Sequence, residues 1–393
     1  MNNTERDYVY LIACVLHERK PDEDRVLGMD MQALCQLSKA HKMSAMIAHA
    51  LEPVSALLPE EWAKEWKQSK EMAVYAGMVM DAEFKKITSF MDHEGIWYLP
   101  LKGIVNKSLY PKYGMREMSD IDILYDVSDA LKIYDFMTGQ GFQYKYSKAA
   151  LGHYVEDIYS KEPACLFEFH TRLFDEEIAD KKIAKYYDGI WRLMKKDEDT
   201  SCGYHLSAED AYLYNIAHAY KHYKLYGMGI KCLVDAYVFT SGQELDHDYI
   251  CKESTKIGIE KFEALIRSLS SKLFDGDDNF EKLLSDEEKD ALSYMFQSGA
   301  YGSMEHRIEN RMKEFGDKED EAVSAKAKLR YLRKRLFPSA DYMKFYSPHV
   351  KKHPVLLPVF YVQRICRAVY RKRKKIKSEL VMLKGFHGQS KEG

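Results

Sequence analysis

Asp120 and Asp122 flank a single isoleucine in an otherwise apolar run, Ser119-Asp-Ile-Asp-Ile-Leu-Tyr125. A strand places residues i and i+2 on the same side. Both carboxylates would then share one face, with Ile121 and Ile123 on the other. Two carboxylates so close repel, and isolated burial of either is costly. A divalent cation resolves the conflict, because hard cations take carboxylate oxygens together with substrate phosphates. An edge strand whose polar face meets water resolves it as well. The pattern alone leaves both open.

The flanking residues favour the cation. Upstream, the β-rich run Ile96–Leu101 ends at Lys102-Gly103, and a helical stretch, IVNKSLY, follows. Glycine permits close backbone approach, and a helix N-terminus attracts anions. Downstream, CLFEFHTRLF alternates, with Glu168 and His170 on one side and Phe167 and Phe169 on the other. Three carboxylates on adjacent strands beside a phosphate-binding turn make a two-metal phosphoryl-transfer site.

Apolar spacings of three and four predict helices over residues 1–92, with a helix start at Leu58-Pro59-Glu60-Glu61, proline in its first turn, and a stop at Gly95. A β-α-β-α-β-β-β pattern covers about residues 95–175. Its later strands are FQYKYS, YVEDIYS and CLFEFHTRLF, and its second helix, ALKIYDFMTGQ, is capped by Ser128-Asp129 and ends at Gly141. Ser207 opens a second helical region that runs to about residue 336, with 316–330 a solvated helix or linker.

A composition of 46% apolar and 31% charged residues suits a globular chain with a real core. The net charge of −2 gives no bulk attraction to nucleic acid or membrane. Seven scattered cysteines without a CxxC pair read as reduced thiols of a cytosolic protein. Neither a secretory leader nor an apolar window of about 18 residues is expected.

The stretch LKGIVNKSLYPKYGMREMSDIDILYD resembles the signature of an uncharacterised nucleotidyltransferase family of the DNA polymerase β-like superfamily, often found among bacterial surface-polysaccharide genes. Its elements are Lys102, Gly103, Tyr110, Pro111, Arg116, Asp120 and Asp122, with a later Glu168-Phe169-His170. Thr171 replaces the family's usual tryptophan, and the superfamily's Gly-Ser turn is Lys-Gly here. The resemblance covers about residues 8–240. It implies an α+β fold, a small mixed-sheet core flanked by N- and C-terminal helical regions, divided as 1–94, 95–200, 201–336 and a tail at 337–393. It also implies transfer of a nucleoside monophosphate from an NTP such as ATP to a hydroxyl of a small-molecule, sugar or glycan-related acceptor, with pyrophosphate release. Asp120, Asp122 and Glu168 would hold Mg²⁺, or Mn²⁺ in its place, and Glu168 would help deprotonate the acceptor. Gly103 would cradle phosphates, with Lys102 or Arg116 neutralising charge. A toxin-like transferase that modifies RNA or protein and a catalytically silent nucleotide-binding or scaffold protein are competing readings.

His218 and His222 stand at i and i+4 in HAYKH. That spacing can bind zinc, but the HExxH glutamate is missing. They pack on a half-buried face or line the nucleotide cleft. In similar family members this pair precedes a basic residue and an aspartate; Lys231 and Asp235 fit, the first meeting phosphate and the second orienting it. His153 reads as a turn histidine, and Cys165 lacks a general base. Residues 354–377 pair an apolar half with eight basic residues between Arg364 and Lys377 and no acid. Such a helix lies on an anionic membrane surface, grips nucleic acid or docks on its own protein. Nucleic acid ranks last. The NTP and the acceptor remain unidentified from sequence, and the expected location is the cytoplasm, against the inner face of the membrane.

Overall fold

The computed structural model describes residues 1–175, 179–276, 279–300, 325–338 and 353–385, with single positions between 302 and 350. Ahead of residue 95 the apolar periodicity forms α1 (Asn3–Leu16), α2 (Glu23–Leu27), α3 (Met31–His41), α4 (Ser44–Leu51) and the 35-residue α5 (Glu60–Glu94). Asn2 and Glu5 close a capping box on α1. Pro59 is the N-cap of α5, one position ahead of the expected first turn, and Gly95 ends the helix at a left-handed φ of 71°.

The alternating segments then build one sheet: β1 (Tyr98–Leu101), α6 (Gly103–Asn106), β2 (Ile121–Tyr125), α7 (Ala130–Gly139), β3 (Gln143–Tyr144), β4 (Glu156–Lys161) and β5 (Cys165–His170). The five strands lie in the order β1-β2-β5-β4-β3. Only β2 and β5 run parallel; the other neighbours are antiparallel. The sheet is thus mixed, and the fold α+β. Three local expectations change. FQYKYS contributes only Gln143–Tyr144. Asp126, not Ser128 or Asp129, supplies the side-chain cap ahead of α7, accepting from the Ser128 amide. That helix ends at Gly139, with Gly141 left-handed just beyond.

The two faces of the sheet belong to different cores. Ile121, Ile123, Phe167 and Phe169 are fully buried against Met80, Ile87 and Met91 of α5 and Ile133 and Met137 of α7. Each such side chain contributes about 1.5–3 kcal/mol on burial. On the opposite face, Leu99, Leu101 and Leu124 join a larger core shared by α1, α3 and α4 with α8 (Lys181–Asp188), α9 (Ala208–Leu225), α10 (Lys231–Gly242), α11 (His247–Ile257), α12 (Glu260–Phe274) and α13 (Asp286–Ser298). The carboxylates project into that second layer, beneath α9. A hairpin of Met194–Lys196 with Tyr204–Leu206, which the sequence did not suggest, connects the sheet region to α9. Residues 316–324 of the expected solvated helix lie outside the described residues; Ala325–Leu336 is helical, as is Leu357–Gly385. Among the described residues no helix is long and apolar enough to cross a membrane.

Candidate active site

Strand register sets the centre of the site. Asp122 on β2 lies opposite Glu168 on β5, and His170 follows on the same face. Asp122 is buried, while Asp120, immediately before β2, and Glu168 are half-buried. The Asp122 carboxylate accepts from Lys102 Nζ at 2.8 Å and lies 2.8 Å from His170 Nε2. Metal-capable donor atoms of Asp122, Glu168 and His170 all fall within 4.8 Å of one another. Asp120 does not belong to that group, whereas His170, which the sequence placed only on Glu168's side, does.

The Lys102-Gly103 turn comes off β1 directly beside β2. Lys102 takes a left-handed φ of 49°, which carries the chain from strand into α6. Asn106 of α6 donates to Asn215 of α9 at 2.8 Å and fixes that helix over the turn. Lys102 Nζ also approaches His218 Nε2 at 3.3 Å, and His218 Nε2 lies 3.3 Å from His222 Nε2.

Arg116 is held from the other side. Its Nε and Nη2 donate to the two oxygens of Asp235 at 2.7 and 2.9 Å, and Tyr110 donates to Asp235 at 2.8 Å. The remaining nitrogen, Nη1, is turned to the glycine: a Cβ on Gly103 would stand 2.7 Å from it. Asp235 therefore orients Arg116, not Lys231 as the sequence suggested. Lys231 Nζ donates instead to the Glu117 carbonyl.

Lys102, Gly103, Arg116, Asp120, Asp122, His218, His222 and Lys231 all line one cavity of about 350 Å³ between the sheet edge, α9 and α10. Glu168 is not among its lining residues and lies behind Asp122, which does line it. His153 is exposed in a turn outside it, and Cys165 is buried in the core beneath the opposite face. The sequence reading missed Asn215, whose spacing of three and seven from His218 and His222 was the available signal. It also missed Glu156, which pairs with His170 and extends the acidic face onto β4.

Residues 28–275 match the sequence model of a family described as uncharacterised nucleotidyltransferases. The chain belongs to that nucleotidyltransferase family. No curated protein and no solved structure matches it.

The charges of this nucleotidyltransferase fall into two groups across the cavity. Burial and the nearby Asp122 push the Asp120 carboxyl up. Burial, then Asp122, Glu156 and Asp120, push Glu168 up to about 7. Burial would raise Asp122 too, but Lys102 and His170 outweigh it and hold that carboxyl well below the usual range. On the facing side, burial followed by the neighbouring Arg116 lowers Lys231 to about 8. The acidic group thus carries more negative charge than Lys102 offsets, and His170 Nδ1 is buried without a hydrogen-bond partner. A hard divalent cation at Asp122 and Glu168, with Asp120 adjacent, fits that donor set.

Proposed function

We propose that this nucleotidyltransferase moves a nucleoside monophosphate from an NTP to a hydroxyl of a small-molecule, sugar or glycan-related acceptor, releasing pyrophosphate. One observation supports this above the others: a single cavity brings the Asp120/Asp122 pair together with the Lys102-Gly103 turn and the cationic side chains Arg116 and Lys231. Cationic and anion-binding groups beside carboxylates in one cavity suit a metal-bound triphosphate.

In this reading Asp120, Asp122 and Glu168 hold Mg²⁺, which Mn²⁺ can replace. The ion neutralises phosphate oxygens and lowers the pKa of an acceptor hydroxyl. His170 orients Asp122. The Gly103 backbone and Arg116 Nη1 cradle the terminal phosphates, and Lys102, beside Asp122, neutralises phosphate charge. Lys231, His218 and His222 complete the nucleotide wall. Glu168, the third carboxylate of the group, would help take the acceptor's proton. Residues 95–200 form the catalytic core, 1–94 and 201–336 the helical regions packed on it, and 337–393 the basic tail. We place the protein in the cytoplasm, with residues 354–377 against the inner membrane face. Val359 and Val362, three positions apart on the helix Leu357–Gly385, and Val355 in the 3₁₀ turn before it are all more than half exposed and put apolar surface ahead of the basic residues.

Purified protein incubated with each NTP, Mg²⁺ and fractionated cell extract should release pyrophosphate. Asp120→Asn and Asp122→Asn should each abolish the release. Release that survives both substitutions, or no release with any NTP, with Mn²⁺ included, refutes the catalytic reading.

A further inference from the structure

His218 and His222 sit one turn apart on α9, and their Nε2 atoms are 3.3 Å from each other. Their ring centroids are farther apart, at 4.5 Å. The nitrogen tips are thus closer than the ring centres, and the two Nε2 atoms meet at hydrogen-bond distance, across a proton that a cation would replace once the ring switches tautomer. Zinc–imidazole bonds of about 2.0–2.1 Å place two adjacent ligand nitrogens roughly 2.8–3.4 Å apart for bond angles of about 90–110°. The observed separation lies inside that window without any rotamer change.

The surroundings suit a ligand site. Both residues line the cavity, so further coordination positions open onto free space. Ligation requires neutral imidazole. Burial first, and then the neighbouring lysines, keep both rings neutral, His222 down to about 3. Lys102 and Lys221 oppose a cation here, and Asp120 and Asp122 across the cavity offset them. Lys102 Nζ can give up its 3.3 Å contact with His218 and retain the shorter 2.8 Å contact with Asp122.

We propose that His218 and His222 chelate one divalent cation of borderline softness, such as Zn²⁺, Co²⁺ or Ni²⁺, through their Nε2 atoms, at a site separate from the Asp122–Glu168 centre. Imidazole selects such ions over Mg²⁺. The open positions face the wall assigned above to the triphosphate, so phosphate oxygens complete the coordination when nucleotide is bound. Binding of the cation itself does not rest on that reading, because it takes place without nucleotide.

The test is calorimetric titration of the metal-free full-length chain with Zn²⁺ in excess Mg²⁺, comparing the native protein with His218→Asn, His222→Asn and Glu168→Gln. X-ray absorption at the zinc edge would count imidazole ligands. Circular dichroism would establish that each variant is folded. The expected result is one site with two imidazole ligands, unchanged in Glu168→Gln and weakened by more than about tenfold in each histidine variant, since even outer-shell changes cost that much. Zinc affinity that is unchanged in both histidine variants overturns the proposal. So does a loss that follows Glu168→Gln, or the absence of any such site in the native chain. None of these outcomes bears on Mg²⁺-dependent pyrophosphate release, so the two readings fail separately.

Discussion

Replacing Asp235 by alanine isolates the device that aims Arg116 at the Gly103 turn. The side chains of Arg116 and Asp235 are only 10% and 14% exposed. Asp235 accepts three hydrogen bonds, two from the guanidinium and one from Tyr110. Alanine leaves a guanidinium and a phenol buried without their acceptor. Removing one partner of a buried pair costs about 3–5 kcal/mol, and we expect the lower half of that range because Arg116 Nη1 borders the cavity. Asp235→Asn keeps the shape and one acceptor, and should cost less. Urea unfolding followed by circular dichroism measures the loss, and pyrophosphate release measures its functional side: the Michaelis constant for NTP should rise more than the turnover number falls. The paired change Arg116→Met/Asp235→Ala should recover part of the stability, because it removes the uncompensated charge. A loss below about 1 kcal/mol, or a double variant less stable than Asp235→Ala alone, would show that Arg116 does not depend on Asp235. The pH dependence has a definite sign. Burial raises the Asp235 carboxyl, but Arg116, Lys231 and Tyr110 outweigh it and depress it below its ordinary value. Its stabilisation is therefore present above the ordinary carboxylate range and is lost as pH falls through the depressed value. Asp235→Asn should lack that acid limb.

Three further outcomes are expected. Glu168, raised to about 7 in the metal-free protein, must lose a proton to bind a cation, so Mn²⁺ affinity measured by calorimetry should climb by about tenfold per pH unit below 7 and level off above it; Glu168→Gln should flatten that dependence, and an unchanged slope would exclude Glu168 as a ligand. Gly103→Ala puts a Cβ 2.7 Å from Arg116 Nη1 and 3.2 Å from Met118 Sδ, so overpacking should cost about 1–3 kcal/mol in a denaturation curve and weaken NTP binding, whereas native affinity would show that the turn does not touch phosphate. Full-length protein should co-sediment with phosphatidylserine-containing vesicles at low ionic strength and dissociate as salt screens the basic helix; binding equal on neutral vesicles would remove the electrostatic role of residues 364–377.

Much of the site could be read from local pattern, and the reason is physical. Strand alternation is a two-residue rule, so Asp120 and Asp122 could be placed on one side of their strand, and Glu168 and His170 opposite Phe167 and Phe169 on theirs, before any fold was known. Helix ends obey equally short rules, which is why Gly95 and Ser207 were found where they act. Short rules also failed where neighbours compete: Asp126 accepts from the Ser128 amide and caps the 3₁₀ turn that precedes α7. FQYKYS pairs in register with β4 only over Gln143–Tyr144, and a single further bond runs from the Lys145 amide to the Ile158 carbonyl.

What the sequence by itself determined is the set of chemical groups and the faces they occupy: an acid pair on a strand, a Lys-Gly turn ahead of it, a third acid with a histidine, and a histidine pair on a helix. What only the tertiary structure decided is which of them meet. Lys102 reaches His218 across 116 residues, and Arg116 reaches Asp235 across 119. Neither contact follows from a period of 2 or 3.6, because each depends on α9 and α10 packing over the sheet edge. That packing is driven by Leu99, Leu101 and Leu124 burying against the helical core. Apolar burial is non-directional. It brings the helices down on the sheet, and the buried charges then select the register in which each finds a partner.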